Sequence, residues 1–273
     1  MNMAELRPKE RSELRIKLGK TFYTWKRYFE WLIDGNNYAN ERDRVLLPHS
    51  AFGHQTPLIR KLQGVDISYQ QNKITNLKLA VEKINGIIIK PGETFSYWKL
   101  IGSPTKRKGY VDGMVLHYGR FMKGIGGGLC QLSNLIYWMT LHTPLTVTER
   151  HRHSFDVFPD SNRTQPFGSG ATCSYNYLDL RIKNETDVPY QLHVRLTDTH
   201  LVGEWRCEEP QLYVYHIFEK DHSILPAYWG GYIRHNELWR KAYNRQHKLV
   251  SEEFITENNA IMMYEPLLEQ KVK

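Results

Sequence analysis

The chain has 273 residues, 41% of them hydrophobic, enough for a real core in one large domain or two small ones. Its formal net charge is +8, and three cysteines (Cys130, Cys173 and Cys207) are too few and too scattered for a disulfide framework. No stretch approaches the roughly 18 consecutive apolar residues of a membrane-spanning helix, and the N-terminus lacks the apolar core of a secretory signal peptide. These features predict a cytoplasmic protein, or one lying peripherally on the inner membrane face.

Residues 5–33 predict a basic amphipathic helix, with Leu6, Leu14, Leu18, Phe22, Trp25, Phe29 and Leu32 set against Arg and Lys. Such a helix either packs on the body with a solvated basic face or lies on an anionic membrane surface. A Pro/His-containing stretch, Pro48 to Pro57, reads as a connector. Residues 72–88 predict a second helix, because Ile74, Leu77, Val81, Ile84 and Ile88 recur at three- and four-residue steps. Pro91-Gly92 is a turn signal, and Thr94 to Trp98 suits a strand. Residues 102–124 are polar and glycine-rich, with strand character around Met114 to His117. A third helix runs from Gln131 to His142, apolar at Leu132, Leu135, Ile136 and Met139. Strand-like runs follow at Leu145–His153, Ala171–Tyr175, Leu178–Lys183, Tyr190–Thr197 and Leu201–Arg206. The tail from Pro210 has no long periodic segment, only short candidates near Tyr213–Phe218, Tyr232–Ile233 and Ile261–Tyr264. A few helices with a run of strands predict an α+β fold with a mainly antiparallel sheet. The expected organisation is a helix and connector over 1–50, an α+β domain over 51–208, and an extension over 209–273 packed on it.

The chemistry concentrates in two places. Four glycines in five residues, Gly124-Ile-Gly126-Gly127-Gly128, lead through Leu129 into Cys130 and the third helix. A thiol at the N-terminus of a buried helix has its pKa lowered by the helix dipole. N–H groups converging there also suit an oxyanion formed in acyl transfer. A small buried structural cysteine is the plainer alternative. The second place is Glu149-Arg-His151-Arg-His153-Ser154. On a strand, Val147, Glu149, His151 and His153 share one face. Two imidazoles with one well-placed cysteine suggest a thiol–imidazole pair. They also fit exposed histidines, or two zinc ligands completed by Cys130 or Cys173. Neither Cys-x-x-Cys nor His-Glu-x-x-His occurs, so the main reading has no metal and no cofactor. No helix-turn-helix pattern, zinc knuckle or paired aromatic RNA motif appears, so no nucleic-acid partner is expected.

Four blocks carry a resemblance: Lys90-Pro-Gly-Glu-Thr-Phe-Ser96, Gly126-Gly-Gly-Leu-Cys130-Gln-Leu-Ser-Asn-Leu-Ile-Tyr137, Glu149-Arg-His-Arg-His-Ser154 and Leu178-Asp-Leu-Arg-Ile-Lys-Asn-Glu-Thr186. In this order, over about residues 65–206, the sequence resembles the VanW family of bacterial vancomycin-resistance accessory proteins. The resemblance implies cysteine-dependent acyl transfer of the L,D-transpeptidase kind on peptidoglycan stem peptides or their precursors. Carried over by position, Cys130 is the nucleophile and His153 the general base, with His151 and Ser154 as secondary candidates. The N–H of Gln131 serves the oxyanion loop of Gly126, Gly127 and Gly128. Where the family usually has an acidic residue, this chain has Gly170; Asp179, or else Asp156, would have to orient the histidine. The expected partners are a cell-wall peptide or precursor and an anionic membrane surface. A non-catalytic accessory module for a wall precursor or glycopeptide antibiotic, and a zinc-binding protein, are the other functional readings.

Overall fold

The computed structural model describes residues 11–59, 67–157 and 165–266. Its elements begin with α1 (Glu13–Ile33), β1 (Asn37–Tyr38), β2 (His49–Pro57), α2 (Ile67–Ile84), β3 (Ile87–Ile89), β4 (Glu93–Ser96) and α3 (Tyr97–Ile101). A hairpin of β5 (Asp112–His117) and β6 (Arg120–Ile125) precedes α4 (Cys130–Leu141), β7 (Thr146–Glu149) and β8 (Phe155–Asp156). Then come β9 (Arg181–Lys183), β10 (Tyr190–Leu196), β11 (His200–Cys207), β12 (Tyr213–Pro226), β13 (Tyr232–Asn244) and β14 (Leu249–Met262). The architecture is α+β, with strands pairing antiparallel except β1 on β4 and β8 on β14.

Three four-stranded sheets have the orders β1-β4-β9-β7, β2-β11-β10-β3 and β12-β13-β14-β8. The core lies between the first two sheets and α2, α3 and α4. Helix α4 sits directly on β11 because Gly203 has no side chain to hold it off; a Cβ there would lie 2.7 Å from Met139 Cε. Trp205, next on the same strand face, is fully buried and donates Nε1 to Thr140 Oγ1 at 3.0 Å. Leu132, Leu135, Ile136 and Met139 of α4 are also buried, each worth about 1.5–3 kcal/mol of transfer free energy. The third sheet is tied to this body by polar bonds: Arg240 donates to the carbonyls of Leu141 and Thr143, placing a cation at the C-terminus of α4.

Several elements differ from the sequence expectation. The stretch Pro48–Pro57 is no connector; it forms β2, an edge strand paired with β11 along its length. Helix α2 stops at Ile84, before Ile88, because Gly86 takes a left-handed φ of 79° and the chain turns into β3. Strand β4 stops at Ser96, whose side chain caps α3 by accepting from Lys99 N at 3.3 Å. The expected strand over Ala171–Tyr175 is a loop that keeps only an isolated bridge, Ser174 to Leu178. The tail holds long strands of 14, 13 and 14 residues after all. Register shifts at Lys220/Ser223, Leu238/Trp239 and Ala242/Tyr243 break the period-two pattern that would have announced them.

Helix α1 forms as expected, but it does not pack on the body through its apolar stripe. Leu6 lies outside the described residues, but Leu14, Leu18, Phe22, Trp25, Phe29 and Leu32 are all exposed, and the buried residue of the helix is Arg27.

Candidate functional site

The glycine turn is braced from α2. Asn76, fully buried, donates to Gly127 O at 2.9 Å and accepts from Val111 N at 2.9 Å. Gly127 also meets Gly113 backbone to backbone: a Cβ on Gly113 would lie 2.5 Å from Gly127 O. Gly126 and Gly128 have φ of 75° and 92°, conformations L side chains rarely adopt. The turn delivers Cys130 as the first residue of α4. Among the described residues, the N–H groups of Leu129 and Cys130 donate to no backbone carbonyl. That of Gln131 is used, donating to Gly128 O at 3.0 Å, so it is not part of an oxyanion site. The Gln131 side chain fastens α4 to β2 through Thr56 Oγ1 (2.9 Å) and Pro57 O (3.0 Å).

The first turn of α4 is laced to the loop before β9. Cys130 Sγ donates to Cys173 O at 3.6 Å, Ser133 Oγ donates to Ala171 O at 2.7 Å, and Asn134 Oδ1 accepts from Ala171 N at 2.8 Å. Burial outweighs these local bonds and pushes the Cys130 thiol above its ordinary value, against the lowering expected from the helix dipole alone. Gly170 leaves the room that Asn134 occupies: a Cβ on it would lie 2.7 Å from Asn134 Oδ1. An acidic side chain at Gly170 would therefore need Asn134 to move.

The strand β7 ends at Glu149 after a register shift, so His151 and His153 lie in the loop beyond it rather than on one strand face. The geometry divides them. His151 Nε2 is 2.8 Å from Glu149 Oε1, and His151 O accepts from Thr172 N at 2.8 Å, beside Cys173. His153 is exposed and makes no hydrogen bond among the described residues; crowding around its ring and the charge of Arg150 push its pKa down.

Glu149 was legible in the sequence only as a neighbour of His151, and it is the hub. It accepts from Arg27 at 2.6 and 2.7 Å, from Asp179 N at 3.1 Å, and lies 3.3 Å from Arg181 Nε. Burial opposes its ionisation, but hydrogen bonds from His151 and Arg27 and the Arg27 charge prevail, bringing its pKa to about 2.

The expectation that Asp179 orients a histidine is corrected. Asp179 precedes β9, is fully buried, and accepts from Ser96 Oγ (2.5 Å), Trp98 N (2.9 Å) and Leu180 N (2.9 Å). It caps α3, and burial raises its pKa to about 6. Asp156 faces Arg234 NH1 at 3.3 Å and accepts from Tyr264 Oη at 2.8 Å, on the third sheet. Ser154 is exposed, with its carbonyl accepting from Ile261 N at 2.9 Å. Among the described residues, no three His, Cys, Asp or Glu side chains gather as a metal site. Residues missed by pattern reading include Arg150, which reaches Gly170 O (2.9 Å) and Asn258 Oδ1 (3.1 Å) and covers the ring of Tyr137.

A family model described as VanW like protein matches residues 72–206, which span the glycine turn, α4 and Glu149. The Vancomycin B-type resistance protein VanW of Enterococcus faecalis is 40% identical over 191 residues, 70% of this chain and 68% of that protein. The chain belongs to the VanW family. Another relative, the Uncharacterized protein YoaR of Bacillus subtilis, is 27% identical over 128 residues, 47% of this chain and 41% of its own. No solved structure matches. In this VanW-like chain, no described helix is long and apolar enough to cross a membrane.

Proposed function

We propose that this VanW-like protein is a cysteine acyl-transfer enzyme acting on bacterial cell-wall peptides, with Cys130 as nucleophile and His151, held by Glu149, as its base. The observation that carries this reading is the seat of Cys130: the first residue of α4, behind a glycine turn, with the N–H groups of Leu129 and Cys130 donating to no backbone carbonyl among the described residues. Such N–H groups stabilise a developing oxyanion. The His151 backbone is bonded to Thr172, next to the residue whose carbonyl receives the Cys130 thiol. Sγ would attack the carbonyl carbon of a stem-peptide residue and expel the terminal D-amino acid, leaving a thioester. An amine of a neighbouring stem, or water, would then take the acyl group. The raised thiol pKa makes a base necessary: the proton held toward Cys173 O must be taken up as the substrate arrives.

The same bond to Cys173 O favours a second reading, a non-catalytic module that recognises a wall precursor, with Cys130 an enclosed structural thiol. The two readings separate by alkylation of Cys130 against pH, followed by mass spectrometry to exclude Cys173 and Cys207. For the enzyme, alkylation at neutral pH is slower in His151→Ala than in the wild type and little changed in His153→Ala. Cys130→Ser then abolishes release of the terminal residue from a stem pentapeptide. Alkylation unaffected by His151→Ala, or release retained in Cys130→Ser, refutes the acyl-transfer mechanism.

A further inference from the structure

We propose that α1 is an in-plane anchor that seats this protein on an anionic lipid bilayer, an interaction that stands independently of the acyl-transfer reading. Leu14, Leu18, Phe22, Trp25, Phe29 and Leu32 follow three- and four-residue steps, so they form one stripe along the helix, about 27 Å long at 1.5 Å per residue. All six are exposed, Trp25 by 70% and Leu32 by 83%. At about 100° per residue, the opposite side carries Arg27 and Trp31, and it is the side that docks. There Arg27 meets Glu149 and donates to Tyr177 O at 3.0 Å, Thr24 O accepts from Asn176 Nδ2 at 3.3 Å, and Trp31 packs on the core. The fold therefore holds the apolar stripe outward instead of using it to bury the helix.

The flanks indicate the occupant. The same helical geometry puts Arg15 and Lys26 along one border of the stripe and Lys17 along the other, with Glu13 and Glu30 turned toward the docked side. A flat anionic surface satisfies both basic borders while the stripe enters the headgroup–acyl boundary, as in helices that lie in the membrane plane. A second copy of the same helix would set basic borders against each other. The helix is also coupled to the candidate site: Arg27 bonds Glu149, and the Tyr28 and Tyr175 hydroxyls are 2.6 Å apart, two residues beyond Cys173. Docking through α1 would hold the Cys130 region at a set distance from the lipid plane.

The test is flotation of the full chain with phosphatidylcholine vesicles containing about one-third phosphatidylglycerol, against pure phosphatidylcholine vesicles, with analytical ultracentrifugation of the lipid-free protein. The expected result is binding to the anionic vesicles that falls about a hundredfold in Phe22→Glu/Trp25→Glu, whose exposed side chains leave the fold and its circular dichroism unchanged. Arg15→Ser, Lys17→Ser and Lys26→Ser should each weaken that binding about fivefold and leave binding to neutral vesicles unchanged. No binding by the wild type, equal binding to both vesicles, or binding that survives Phe22→Glu/Trp25→Glu overturns the proposal. So does a lipid-free oligomer that this double variant converts to monomer, which would make a second copy the occupant.

Discussion

Replacing Glu149 with alanine should cost this protein several kcal/mol of stability. The carboxylate joins elements far apart in sequence: Arg27 of α1, 122 residues away, His151, the N–H of Asp179, and Arg181. Arg27 and Glu149 keep only 8% and 18% of their side-chain surface exposed, so water screens the pair little. Lowering the Glu149 pKa from 4.5 to about 2 corresponds to about 3 kcal/mol of pH-dependent stability. The folded-state value is the depressed one, so this contribution is complete above about pH 4.5 and is lost as the pH falls toward 2. Truncation also strands two guanidinium groups, and breaking a buried pair this way costs about 3–5 kcal/mol. Urea unfolding of the wild type, Glu149→Ala, Arg27→Ala and the double variant at pH 7 measures it. The two single losses should exceed the double loss by about 1–3 kcal/mol, the signature of residues in contact. The difference between wild type and Glu149→Ala should narrow as the pH drops below 4.5. A loss under about 0.5 kcal/mol, or additive single effects, would show that the hub is not an energetic unit.

Asp179 should behave in the opposite sense: its raised pKa of about 6 means that the folded state holds the proton more tightly. Its contribution is largest below the ordinary carboxylate range and disappears as the pH rises through 6, so Asp179→Asn should flatten the stability profile between pH 4 and 7 by on the order of 2 kcal/mol. An unchanged slope in that variant would remove Asp179 as its source. Gly127→Ala sets a Cβ 2.6 Å from Met114 N, against backbone that cannot swing aside, and should cost about 3 kcal/mol in chemical unfolding. Gly19→Ala, in α1 with open space around it, is the contrasting case and should gain about 0.5–1 kcal/mol; similar effects of the two changes would contradict the packing described for the glycine turn.

Local rules carried the reading where a residue's partners lie close in sequence. Gly124 to Gly128 followed by the apolar repeat of α4 marked a turn feeding a buried helix, and Cys130 is its first residue. The α+β class followed from the same periodicities. Local rules lost their hold where the pattern is interrupted or the stabilising group is polar. Bulges hide the length of β12, β13 and β14, whose interior includes Arg234, Asn236, Asn258 and Asn259 in place of an apolar row. The histidine spacing at His151 and His153 read as one strand face, but β7 ends at Glu149 and the two rings part.

Covalent and periodic features are legible in residue order: a cysteine behind glycines, helical and strand periods, an apolar stripe bordered by Lys and Arg, and four ordered motif blocks. Tertiary structure alone decided which of those groups meet. It set Arg27 on Glu149, gave His151 rather than His153 the carboxylate, assigned Asp179 to the cap of α3, and turned the stripe of α1 outward. The two kinds of interaction differ in range. A helical period or a turn acts over a few residues, whereas a buried charge must be neutralised by whatever partner the whole fold brings within about 4 Å of it.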